Sequence, residues 1–180
     1  MDVLYLSGSP RRGGNTERLL AIMQEALPGE MLRITGLDIA PCRSCWACRE
    51  RGRCVIQDDF TRVVVPRMTE CDALVIGCPV YFNNVPSETK ALIDRTWAYR
   101  QDFRNTIAGA VVVGRRYGAE GAITALQSFY LKHEMIPANR GVCGIAFDAG
   151  EIEQDTEALE ATARLADRII ELGRLMQTDR

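Results

Sequence analysis

The sequence has little histidine and little lysine. Its 180 residues include one histidine, His133, and twenty of its 22 basic residues are arginine. A Ser-His-Asp triad or a Cys-His pair needs a histidine beside the nucleophile, and no such arrangement can be assembled around His133, which falls late in a predicted helix. The sequence therefore offers no support for hydrolysis by these arrangements. We interpret His133 as a cation in the last turn of its helix.

Long apolar runs and a strong net charge are also absent. No run reaches the length of a transmembrane helix, and the chain enters a strand almost at once, so we expect neither a membrane span nor a signal peptide. A net charge of −2 argues against nucleic acid or an anionic membrane as a partner. Seven cysteines, an odd number, argue against a disulfide framework. These features predict a cytoplasmic protein whose thiols stay reduced.

Patterns typical of strands and helices alternate five times, within a length that suits one domain over residues 1–180. The predicted strands are Asp2–Ser7, Glu30–Thr35, Ala73–Gly77, Thr106–Val113 and Gly141–Phe147. The predicted helices begin near Asn15 or Thr16, Asp58 or Asp59, Ser87, Gly118 and Asp155. The candidate caps of the first three are Asn15 or Thr16, Asp58 or Asp59, and Ser87. The alternation predicts right-handed βαβ crossovers and a parallel sheet with helices on both faces. In the last helix, the inward-facing residues are predicted to be Leu159, Ala163, Ala166, Ile170 and Gly173.

The first strand leads into a loop rich in glycine and hydroxyl groups, Gly8–Thr16, which opens into the first helix. Backbone N–H groups at a helix N-terminus and the positive end of the helix dipole favour a phosphate. The loop contains neither GxxxxGK[ST] nor GxGxxG, so it is neither a Walker loop nor a dinucleotide fingerprint. The pattern predicts a site for a single phosphomonoester, and an ordinary strand–helix turn is the alternative.

Three loops are predicted to meet at one edge of the sheet. They are Gly8–Gly14, Pro79–Pro86 and Gly114–Gly118, and each follows the carboxyl end of a predicted strand. Ligands of open parallel sheets bind beyond these carboxyl ends. Three suitable loops at one edge are a stronger indication of a ligand site than any one loop alone.

A cysteine-rich insertion loop, residues 36–58, interrupts the alternation. Cys42, Cys45, Cys48 and Cys54 follow the spacing C-x2-C-x2-C-x5-C. Closely spaced cysteines of this kind can enclose a compact iron–sulfur cluster, whereas structural zinc usually uses two CxxC pairs that are farther apart. Free thiols, a redox pair or zinc stay open as alternatives. Cys71 and Cys143 are interpreted as packing residues.

Three motifs resemble the NAD(P)H-dependent FMN reductase superfamily, which has the flavodoxin-like fold. Gly8-Ser9-Pro10-Arg11 and Gly14-Asn15-Thr16 match its phosphate-loop pattern. A second pattern of the superfamily matches Pro79-Val80-Tyr81, Ser87 and Lys90-Ala91-Leu92-Ile93-Asp94-Arg95. A third pattern matches Cys54-Val55-Ile56-Gln57-Asp58-Asp59-Phe60. The resemblance covers essentially the whole chain. It implies an α/β fold, a three-layer α/β/α sandwich around a five-stranded parallel sheet of order 2-1-3-4-5.

The resemblance implies FMN as cofactor and a role for each loop. The phosphate of FMN would be held by Ser9, Arg11, Gly14, Asn15 and Thr16. The isoalloxazine would be bordered on one side by Pro79, Val80, Tyr81, Phe82 and Asn83, with Cys78 close by. Its opposite side would be bordered by Gly114, Arg115 and Gly118. Relatives often have a longer glycine-rich third loop than this chain. Hydride transfer itself needs no acid–base residue, so no catalytic side chain is predicted.

The compact cysteine motif resembles the iron–sulfur flavoprotein branch of the superfamily. That branch implies a [4Fe–4S] cluster held by Cys42, Cys45, Cys48 and Cys54, beside FMN. The implied function is an oxidoreductase that moves electrons between NAD(P)H or ferredoxin and a small-molecule acceptor. The alternatives are a cluster-free NAD(P)H-dependent FMN or quinone reductase and a non-enzymatic, flavodoxin-like electron carrier. The superfamily also implies a homodimer or homotetramer, with Trp46 over the cluster or in a subunit interface.

Overall fold

The computed structural model describes residues 1–178. Its strands are β1 (Val3–Ser7), β2 (Glu30–Arg33), β3 (Ala73–Pro79), β4 (Ile107–Gly114), β5 (Ile136–Pro137) and β6 (Val142–Ile145). Its α-helices are α1 (Asn15–Ala26), α2 (Ala47–Arg51), α3 (Val65–Glu70), α4 (Ser87–Arg95), α5 (Ala119–Lys132) and α6 (Thr156–Thr178). The predicted alternation of strands and helices is therefore present.

All strand pairs are parallel, and the order β2-β1-β3-β4-β5 confirms the predicted topology. The fifth position holds two short strands, because both β5 and β6 pair with β4. Pro137 lacks the N–H that a continuous strand needs, and Gly141 has a φ of +113°. The chain therefore leaves the sheet between β5 and β6. The predicted strand Gly141–Phe147 corresponds to β6, and the sequence prediction missed β5.

The buried apolar residues form one cluster on each face of the sheet. The cluster on the face covered by α3, α4 and α5 includes Phe60, Met68, Leu92, Leu126 and Tyr130. Leu19, Leu20, Met23, Leu165 and Ile169 represent the face covered by α1 and α6. The central strands β3 and β4 are buried on both faces, which explains their continuous apolar sequences. This arrangement is the predicted three-layer sandwich.

Several local predictions were wrong. The segment 36–58 contains the short helix α2, and a π-helical turn, Phe60–Val64, precedes α3. The caps of α1 and α4 are Gly14 and Pro86 rather than the polar residues that follow them. The buried stripe of α6 is Ala158, Thr162, Leu165, Ala166 and Ile169, so the helix is rotated by about one residue from the predicted face. Two overlapping apolar stripes exist in this helix, and packing against the sheet selects one of them.

His133 is a buried neutral side chain rather than a surface cation. Its Nε2 lies 2.9 Å from the hydroxyl oxygen of Thr96, and the rings of Phe103 and Phe129 contact its imidazole edge to face. Burial lowers the pKa of His133 to about 4. The prediction failed because the end of α5 packs against Phe103 instead of facing water.

Candidate functional site

A cavity of about 450 Å³ lies at the carboxyl edge of the sheet, where the loops after β1, β3, β4 and β6 meet. We call it the rim cavity. Its lining residues are Ser9, Pro10, Arg11, Asn15, Thr16, Pro79, Val80, Tyr81, Phe82, Val113, Gly114, Arg115, Ala146 and Phe147. Its volume is in the range typical of small-molecule sites. Ten of the thirteen residues predicted to contact the cofactor line it.

A buried carboxylate stabilises the loop after β1 through hydrogen bonds. The Glu17 carboxylate accepts hydrogen bonds from the Gly13 N–H at 2.7 Å, from the Ser7 hydroxyl at 2.8 Å and from Arg33. The Thr35 hydroxyl donates to the Ser9 carbonyl oxygen at 2.9 Å. Contacts within the protein therefore hold the shape of this loop. Ser9 and Thr16 line the cavity, and the Ser9 hydroxyl also donates to the Arg11 carbonyl oxygen at 3.3 Å.

Gly14 shapes the loop without lining the cavity. A Cβ atom at this position would lie 2.9 Å from the Cβ of Arg11, so a larger residue would push the turn open. The Gly14 N–H donates to the Arg11 carbonyl oxygen at 3.2 Å and closes the turn. Helix α1 starts immediately afterwards, and its N-terminal N–H groups and dipole favour an anion at this end of the cavity.

Asn15 joins the first loop to the loop after β6. Its side-chain amide donates to the Asp148 carbonyl oxygen at 2.8 Å, and its side-chain oxygen accepts from the Gly150 N–H at 2.9 Å. The predicted cap therefore uses its side chain to hold two loops together. Both of these loops contribute residues to the rim cavity.

The loop after β3 forms a tight turn with an aromatic tip. Tyr81 and Asn84 exchange two backbone hydrogen bonds of 2.9 and 3.0 Å. The two central residues, Phe82 and Asn83, have φ values of 49° and 59°, as a type I′ turn requires. Phe82 is fully exposed and lines the cavity together with Tyr81.

Asn83 and Gly118, both predicted to border the ligand, pack against each other outside the lining of the cavity. A Cβ atom on Gly118 would lie 2.2 Å from the side-chain oxygen of Asn83, and one on Gly121 would lie 1.9 Å from the Asn83 carbonyl oxygen. The two glycines thus let the tight turn rest on the beginning of α5.

The sequence interpretation missed the loop after β6. Ala146 and Phe147 line the rim cavity, and the Arg115 guanidinium carbon lies 4.0 Å from the centre of the Phe147 ring. Arg11 donates from Nη1 to the Phe147 carbonyl oxygen at 3.5 Å. The signal was available, because a fifth parallel strand must place its carboxyl end at the same edge.

The four cysteines of the insertion loop line one further cavity, of about 430 Å³, which we call the cysteine cavity. Its other lining residues are Arg43, Ser44, Trp46, Val55, Ile56, Asp94, Arg95, Trp97 and Ala98. Cys42 and Cys45 are exposed, whereas Cys48 and Cys54 are partly buried, and all four are free thiols. Within residues 1–178, no three His, Cys, Asp or Glu side chains are grouped so that they could hold one metal ion.

The remaining cysteines belong to the packed interior. Burial raises the pKa of both Cys71 and Cys78 to about 12, so these groups stay thiols at neutral pH. Cys78 is fully buried within β3. Burial also raises the pKa of the partly buried Cys143. Among the described residues, no helix is long and apolar enough to cross a membrane.

A parallel sheet of this order, with a glycine-rich loop after β1 and a loop with aromatic residues after β3 around one cavity at its carboxyl edge, defines the class of flavodoxin-like proteins. The Trp repressor binding protein from Bacillus subtilis has this fold. It superposes with a TM-score of 0.71 at 22% identity, over 91% of this chain and 98% of its own.

The chain belongs to the NADPH-dependent FMN reductase family, which matches residues 1–150. It is 35% identical over 193 residues to an iron-sulfur flavoprotein of Methanocaldococcus jannaschii, covering 98% of this chain and 100% of the relative. It is 30% identical over 192 residues to an iron-sulfur flavoprotein of Methanosarcina thermophila, covering 100% and 99%. The protein is therefore a flavin-dependent oxidoreductase that uses FMN and NAD(P)H, as predicted.

Proposed function

We propose that this oxidoreductase holds FMN in the rim cavity and a [4Fe–4S] cluster in the cysteine cavity. It would move electrons between a reduced donor, NAD(P)H or ferredoxin, and a small-molecule acceptor. The observation that carries the proposal is the meeting of four loops around one cavity, whose lining includes hydroxyl groups and an arginine from the first loop and aromatic residues from the loops after β3 and β6. These groups suit the two parts of FMN, a phosphate and an aromatic ring system.

The residues of the rim cavity fit FMN chemically. We assign the phosphate to the hydroxyl groups of Ser9 and Thr16, the guanidinium of Arg11 and the first N–H groups of α1. The ring system would lie against Val80 and Tyr81, with Arg115 on the other side, where a positive charge stabilises a reduced, anionic ring. FMN supplies hydride and single-electron transfer when it is bound. The protein supplies the binding, the orientation and the electrostatic environment.

The cysteine cavity fits an iron–sulfur cluster by the chemistry of its donors. Cys42, Cys45, Cys48 and Cys54 line one cavity and would supply four sulfur ligands, and [4Fe–4S] clusters take one cysteine for each iron. The two relatives described above are named iron-sulfur flavoproteins, which supports the same assignment. The cluster would connect the flavin to carriers that exchange one electron at a time.

The test starts with protein purified without oxygen. We expect the absorbance of bound flavin, and about four iron and four sulfide per chain. The double variant Cys42→Ala/Cys45→Ala should lose iron and sulfide but keep FMN. The matched control Cys143→Ala lies outside both cavities and should keep both groups.

Each part of the proposal has its own contrary result. Wild-type protein without iron and sulfide would rule out the cluster and leave a cluster-free NAD(P)H-dependent reductase. Protein that contains zinc in place of iron would also rule out the cluster. Failure of added FMN to bind the wild-type chain would contradict the flavin site.

We also propose a single domain over residues 1–180, a homodimer or homotetramer, and a cytoplasmic location. The exposed side chains of Trp46 and Phe82 support association between copies. Free thiols in the cysteine loop support a reducing compartment. Light scattering on the purified protein measures the molar mass, and a mass of about 20 kDa would contradict association.

A further inference from the structure

Arg95, at the end of α4, is a buried arginine beside the cysteine cavity. Its side chain has no exposed surface, and it lines the cavity together with Cys54. The guanidinium carbon lies 4.5 Å from the centre of the Phe60 ring. A buried arginine is costly unless its charge and its donors are satisfied, so the partners of each N–H group indicate what the side chain does.

Four of the five N–H donors of Arg95 have oxygen partners. Nη1 donates to the Ala40 carbonyl oxygen at 3.0 Å and to one oxygen of Asp58. Nη2 donates to the other Asp58 oxygen at 3.0 Å and to the Ile56 carbonyl oxygen at 3.1 Å. These bonds fix the plane of the guanidinium against the segment that follows Cys54.

The fifth donor, Nε, is buried and has no hydrogen-bond partner within residues 1–178. Because the guanidinium group is planar, the Nε–H bond of Arg95 points to the same side as the Nη2–H bond that reaches the Ile56 carbonyl oxygen. Cys54 lies two residues before Ile56, and its own backbone N–H donates to the Tyr99 hydroxyl at 3.3 Å. Burial opposes the charge of Arg95, but the interactions with Asp58 and with the Cys54 thiol outweigh it and raise the pKa of Arg95.

We propose that Arg95 is a positioning residue that directs its Nε–H group to the Cys54 sulfur and raises the reduction potential of the cluster held there. The inference rests on the proposed cluster. Hydrogen bonds to ligand sulfur atoms and nearby positive charge both stabilise the more negative, reduced form of a cluster. Asp58 compensates the charge of Arg95 and thereby limits the effect.

The experiment compares reduction potentials in anaerobically purified protein, measured by potentiometric titration followed by electron paramagnetic resonance. Removing Arg95 alone leaves the Asp58 carboxylate buried and unpaired, which destabilises a fold. The comparison therefore uses Asp58→Asn and the double variant Arg95→Met/Asp58→Asn, which differ only in the guanidinium. Arg62→Met is the matched control, because it removes one positive charge from an exposed arginine that bonds the Gln57 carbonyl oxygen.

We expect Asp58→Asn to have a higher potential than the wild type, because the guanidinium charge is no longer compensated. We expect the double variant to have a lower potential than Asp58→Asn. One hydrogen bond to a charged group corresponds to about a tenfold change in the equilibrium constant for reduction, or about 59 mV for one electron. Arg62→Met should retain the wild-type potential.

The results separate this inference from the proposed function. Equal potentials for Asp58→Asn and the double variant, with iron content unchanged, would overturn the role of Arg95 and leave the cluster in place. A double variant with a potential above that of Asp58→Asn would indicate a merely structural role. Wild-type protein without iron would overturn the cluster, and the inference with it.

Discussion

Asn15→Ala tests whether the connection between two loops of the rim cavity supports FMN binding. The substitution removes the hydrogen bonds of 2.8 and 2.9 Å to Asp148 and Gly150. Each is worth about 1 kcal/mol, so about 2 kcal/mol is lost. Alanine is the better helix former and offsets about 0.5 kcal/mol of the loss of stability. A net loss of about 1.5 kcal/mol lowers the melting temperature of a chain of this size by about 3–6 °C.

The effect on FMN affinity follows from the same bonds. We reason that FMN binds when the loops after β1 and β6 are held together as Asn15 holds them. In the Asn15→Ala variant, FMN binding itself must then bring the two loops together. A cost of about 2 kcal/mol then weakens binding about 30-fold. Titration of the flavin-free protein with FMN, followed by flavin fluorescence, measures the dissociation constant.

Asn139→Ala is the matched control for this experiment. The Asn139 side-chain oxygen accepts one hydrogen bond, of 2.8 Å, from the Gly141 N–H in an exposed turn outside the rim cavity. We expect a similar or smaller loss of stability and an unchanged dissociation constant for FMN. An Asn15→Ala protein that binds FMN within about twofold of the wild type would refute the argument, since about 0.4 kcal/mol is then all that the connection contributes.

Three further predictions follow from buried groups. In cluster-free protein at pH 8, iodoacetamide should modify the exposed Cys42 much faster than Cys78, whose pKa is raised to about 12 by burial; peptide mass spectrometry measures both, and equal rates would contradict the structure. Gly121→Ala should destabilise the fold by about 1–3 kcal/mol in urea denaturation, because its Cβ would lie 1.9 Å from the Asn83 carbonyl oxygen. His133 should titrate by NMR at about 4. Its folded pKa is below the unfolded value, so the unfolded chain binds the proton first, and stability should fall by up to about 3 kcal/mol as the pH drops from about 6.5 to about 4. A His133→Phe variant should lack that part of the pH dependence.

Much of the rim cavity was predictable because its residues sit on loops whose positions follow from topology. Once strands and helices alternate, the carboxyl ends of all parallel strands lie at one edge. Ser9, Thr16, Val80 and Arg115 therefore come together there, as the sequence indicated. The same reasoning should have included Phe147, which follows the fifth strand.

The inaccurate predictions concern the direction of individual side chains. Asn83 falls within a predicted binding loop, but the type I′ turn places it against Gly118. Asn15 has the residue type of a helix cap, but its amide bonds to a loop more than 130 residues away in the sequence. Such contacts depend on chain segments that local patterns do not describe.

The order of the main strands and helices, the loop that suits a phosphate and the spacing of the four cysteines could all be recognised in the sequence. These properties reside in short segments, where residue type and spacing decide the outcome. The tertiary structure alone decided which stripe of α6 is buried, that His133 is neutral, and that Arg95 lies with one donor free beside Cys54. Each of these depends on packing between segments far apart in the chain, where burial and hydrogen-bond geometry set the charge and direction of a side chain.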